Sequence, residues 1–133
     1  MFRQIKDKIY EKLREIEKIW TIKPYVEIWP SSYPAVMFEP YQAENESFSL
    51  SENQIIYKFK IYIFQEFSTI SKQQAWDLLL DVYDDIVGKL RENFTLDNLC
   101  TNIKINQWEF GTTETEDGKT IYGTIYLSVY AIW

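Results

Sequence analysis

A chain of 133 residues, 46% apolar and 17% aromatic, has enough length and apolar content to bury one core, and extensive disorder is not expected. A formal net charge of -6 argues against a general nucleic-acid-binding surface, which needs clustered Lys and Arg. With no His and the single Cys100, an internal disulfide is excluded, and zinc chemistry and His-dependent catalysis lose their usual residues.

The charge is uneven. Residues 1–20 carry six bases and four acids, and the remainder carries eight bases and sixteen acids, giving a mildly basic N-terminal element on an acidic body. That first stretch is charged throughout, unlike a secretory leader, and no run reaches the roughly 18 apolar residues of a membrane span. An intracellular, soluble protein without membrane contact is expected.

In chain order, Phe2, Ile5, Ile9, Leu13, Ile16 and Trp20 recur at spacings of three and four and predict an amphipathic helix over 2–20, stopped by Lys23-Pro24. "YVEIW" (25–29) and "AVMFE" (35–39) read as two short strands joined by "PSSYP", the second closed by Pro40. The polar stretch 41–53, "YQAENESFSLSEN", reads as a long mobile loop, with Glu44, Glu46, Phe48 and Leu50 as candidate docking residues. "QIIYKFKIYIFQE" is the clearest strand. Its Ile55, Tyr57, Phe59, Ile61 and Ile63 point one way, and Ile56, Lys58, Lys60, Tyr62 and Phe64 the other.

Ser71 and Gln74 form a capping-box pattern that opens a second helix running to about Asn93. Then "NIKINQWEF" (102–110) and "KTIYGTIYLSVYAIW" (119–133) flank a turn at Asp117-Gly118, where a positive φ is expected, and make a hairpin. The sum is one α+β domain over 1–133, of order α-β-β-β-α-β-β, with a mostly antiparallel sheet and both helices on one face.

On the second helix, Ala75, Leu78, Leu79, Val82 and Ile86 form one apolar stripe, with Trp76, Leu80, Tyr83 and Val87 beside it. Together they span about 200°, roughly twice the stripe that docks a helix on a sheet. Asp77, Asp81 and Asp85 stand at i, i+4 and i+8 and have the spacing to offer oxygen ligands to Mg²⁺ or Ca²⁺. The plainer reading is a solvated face with Asp85 paired to Lys89.

Two surfaces then lack an occupant. One is the outer stripe of the second helix at Trp76 and Leu80. The other is the reverse sheet face, where Tyr62, Phe64, Tyr122, Tyr126 and Tyr130 have the size and polar tips typical of interfaces. Tyrosine on a solvated strand face also satisfies β-propensity alone. No Gly-rich phosphate loop is present, Cys100 has no His partner, and no carboxylate pair stands out, so no catalytic residue, metal or cofactor is expected.

The N-terminal helix, two short strands, polar loop, long strand "IIYKFKIYIFQE", helix "SKQQAWDLLLDVYDDIVGKLREN" and closing hairpin ending "GTIYLSVYAIW" together resemble the tail terminator proteins of long-tailed bacteriophages. The resemblance covers nearly the whole chain and lies in element order, length and hydrophobic pattern. It implies a virion structural protein, made late and assembled in the host cytoplasm. It also implies a hexameric ring that caps the tail tube protein at the head-proximal end and meets the head-completion or connector protein, with DNA passing through the lumen without specific binding. Alternatives are another phage neck or tail-tube component, or a small ligand-binding α+β module with a pocket lined by Trp76, Tyr57 and Phe59.

Overall fold

The computed structural model describes residues 1–27, 30, 32–47, 53–115 and 118–132, with backbone alone at 46, 47, 53 and 115. The elements are α1 (Phe2–Leu13), β1 (Thr21–Lys23), β2 (Ala35–Ser47), β3 (Asn53–Glu66), α2 (Lys72–Glu92), β4 (Asn102–Thr115) and β5 (Gly118–Ile132). They form one five-stranded sheet of order β1-β2-β3-β5-β4. The β1–β2 pairing is parallel, and β2–β3, β3–β5 and β4–β5 are antiparallel. This is the α+β order that the hydrophobic pattern predicts.

The two-residue period of β3 and β5 divides the sheet. Tyr57, Phe59, Ile61 and Ile63, with Ile121, Ile125, Leu127 and Val129, are buried on one face, joined by Val36 and Phe38 of β2. Both helices cover that face. Ile5, Ile9 and Leu13 of α1 are buried, as are Ala75, Leu79, Val82, Ile86 and Leu90 of α2. Phe2 sets its ring edge-on to Tyr57 at 4.7 Å and to Phe59 at 5.3 Å. The start of α2 is fixed by the predicted capping box: Ser71 Oγ accepts from the Gln74 amide, and Gln74 Oε1 accepts from the Ser71 amide, each at 3.1 Å.

Four boundaries differ from the sequence reading, each for a local reason. The first helix ends at Leu13, not at residue 20. Tight bonds from Glu15 to Lys12 and from Ile16 to Leu13 follow, so Ile16 still reaches the core while Trp20 is left 75% exposed. The chain must reverse there to bring Thr21–Lys23 beside β2, and the Trp20 amide donates to the Pro34 carbonyl at 2.9 Å. That strand lies before Pro24 rather than at 25–29; residues 25–27 are not strand, and 28 and 29 lie outside the described residues.

The third difference is the expected mobile loop. Residues 41–47 continue β2 and pair with β3, from Gln42↔Lys58 to Ser47↔Asn53. Pro40 does not close the strand because β1 covers β2 only as far as Met37, and a register shift falls between Pro40 and Gln42. Proline is tolerated at an edge and at a bulge. Glu44 therefore sits on a strand, bonded to Lys58 Nζ at 2.8 Å. Glu46 lies on the same strand, and Phe48 and Leu50 lie outside the described residues. Fourth, Gly118 opens β5 without a positive φ; Asp117 lies outside the described residues.

Positive φ occurs instead at Leu96, Asp97 and Asn98 (47°, 56° and 70°), after α2. Buried Leu96 anchors this left-handed turn, and Asp97 ties it to α1 through Lys8 Nζ at 3.1 Å and Lys12 Nζ at 3.4 Å. Left-handed geometry costs an L-residue roughly 1–2 kcal/mol, less for Asn, and glycine is free of it. Asn98→Gly is therefore expected to stabilise by on the order of 0.5 kcal/mol after the added freedom of the unfolded chain is offset. Urea denaturation checks this; a loss of stability would mean that the turn is not left-handed at Asn98.

Candidate functional site

The reverse sheet face is built from cross-strand rows. Glu39, Lys60 and Tyr126 are neighbours in one row, and Met37, Tyr62 and Thr124 in the next. Tyr62, Phe64, Tyr122, Tyr126 and Tyr130 all lie on this face, as the alternation predicts, and all are half-buried. Three of them have neighbours on the same face. Tyr126 stands edge-on to Tyr41 at 6.1 Å, and Lys60 Nζ lies over both rings, at 5.6 and 5.2 Å. Tyr62 stacks on Phe64 at 6.1 Å and donates its hydroxyl to Glu39 at 3.2 Å. Burial, then the Glu39 charge, pushes the Tyr62 phenol above its ordinary pKa.

The outer flank of α2 is more open. Its wide apolar arc is explained in part by β4, whose Trp108 and Phe110 rise on the helix side of the sheet. Trp76 meets Phe110 edge-on at 5.9 Å, and Tyr83 meets Trp108 at 6.1 Å and Phe110 at 6.0 Å. The cluster still leaves Trp108 53% exposed and Leu80 and Phe110 each 41% exposed. Leu78, expected in the buried stripe, is equally exposed, beside Ile70, Gln74, Asp77 and Asp81. The sequence reading missed Trp108 and Phe110. Their signal was the alternation of "QWEF", which reads as a strand with one apolar side.

The flank adjoins an open backbone edge. Among the described residues β4 pairs only with β5, over residues 102–115, and presents its other side unpaired.

The aspartates of α2 do not converge. Asp77, Asp81 and Asp84 are exposed, and Asp85 pairs with Lys18 at 3.4 Å rather than with Lys89, which pairs with Glu15 at 3.0 Å. The turn after α1 packs beside the end of α2, and its charges take the partners that an isolated helix would find one turn away. Among the described residues no group of three or more acids or cysteines is placed to hold a metal. Cys100 is buried, its thiol donating to the Phe94 carbonyl at 3.3 Å, and burial pushes its pKa up to about 11. It stays a protonated thiol at neutral pH.

An open cleft of about 440 Å³ lies between that turn and α2, lined by Glu15, Glu17, Lys18, Asp84, Asp85, Lys89 and Glu92. It is not the pocket expected from Trp76, Tyr57 and Phe59. Phe2 covers Tyr57 and Phe59, and Trp76 turns to Phe110, so these three do not line one cavity. No family model and no curated protein matches the chain.

Proposed function

We propose that the chain is a structural subunit of a phage tail, a terminator that assembles as a homo-oligomeric, hexamer-sized ring, caps the tail tube and joins it to the head-completion protein. The observation that carries this reading is the apolar flank of Leu80, Trp108 and Phe110 beside the open edge of β4. Contiguous exposed aromatic surface next to an unpaired strand is what a subunit keeps for a partner, and a solitary protein usually blunts it. The element order and the resemblance supply the identity of the assembly. In this reading Trp76 and Leu80 belong to the contact between copies, and the tyrosine face is a further surface for the ring or for the tube.

Electron microscopy of assembled tails carrying a labelled subunit tests the reading. A ring at the head-proximal end is expected. Label elsewhere in the neck would make the chain a neighbouring neck component, and its absence from tails would end the proposal. Trp76→Ser is expected to weaken ring assembly by on the order of 2 kcal/mol per contact while leaving the far-UV spectrum unchanged.

A further inference from the structure

We draw no further inference here: the strongest candidate, the open cleft of about 440 Å³ between the turn after α1 and α2, is a cluster of exposed and half-buried acids whose two lysines, Lys18 and Lys89, already pair with Asp85 and Glu15, and among the described residues no buried, unpartnered polar side chain lines it to show what ligand it would take.

Discussion

Replacing Phe59 with alanine is expected to destabilise the fold by about 3–5 kcal/mol, the range for deleting a buried aromatic ring from a core. Phe59 is fully buried on β3, which lies between β2 and β5, and its ring meets Phe2 of α1 at 5.3 Å and Phe38 of β2 at 6.4 Å. The walls of the resulting cavity would belong to separately hydrogen-bonded elements, so collapse around the gap is limited. A domain of this kind is stable by about 5–15 kcal/mol in total, so the variant should be left close to its threshold. Urea denaturation with an unchanged slope measures the loss. Lys60→Ala, one residue along and on the reverse face, is the control. It removes a lysine stem resting against Tyr41 and Tyr126 and is expected to cost well under half as much. Equal losses would mean that the pleat does not divide the sheet as described.

That division was legible because β3 and β5 each have one face against the helices, which imposes the alternation of residue types. The start of α2 was legible for a similar reason, since the capping box is a local pattern that needs no tertiary partner. Residues 41–47 were not. They lie beyond the cover of β1 along β2, and none of residues 41–45 is buried, so a strand there carries the polarity of a loop. Trp20 misled through its spacing. It continues the stripe of α1, but the chain has already turned to place Thr21 beside Ala35.

The candidate surfaces divide along the same lines. The arc of α2 exposed Trp76 and Leu80 to attention from sequence alone, because too many apolar positions remained after one stripe was docked. What covers Trp76 depends on β4, where a register shift between Ile105 and Gln107 brings Trp108 opposite Ile125 on the helix side. A bulge is a property of two paired strands and leaves no mark in the residues of one. The partner of Asp85 was hidden in the same way, since Lys18 reaches it only once the two helices are packed.

Gly111→Val is expected to reverse sign with the residue opposite it. Gly111 pairs directly with Tyr122 on the reverse face, and a Cβ built there would stand 2.4 Å from the Cζ and Oη atoms of that ring. Tyr122 thus lies across the glycine and covers backbone at the open edge of the sheet. A valine would expel the ring or force the strands apart, at a cost of about 1–3 kcal/mol. Glycine inside a strand is itself unfavourable by roughly 0.5–1 kcal/mol. Once Tyr122 is reduced to alanine, that intrinsic term should be all that remains, and valine should stabilise by about the same amount. A double-mutant cycle over Gly111→Val and Tyr122→Ala isolates the coupling, which is expected to exceed 1 kcal/mol for residues in such contact. If valine costs the same in both backgrounds, the ring does not rest on Gly111, and the edge of β4 is bare where Tyr122 is described as shielding it.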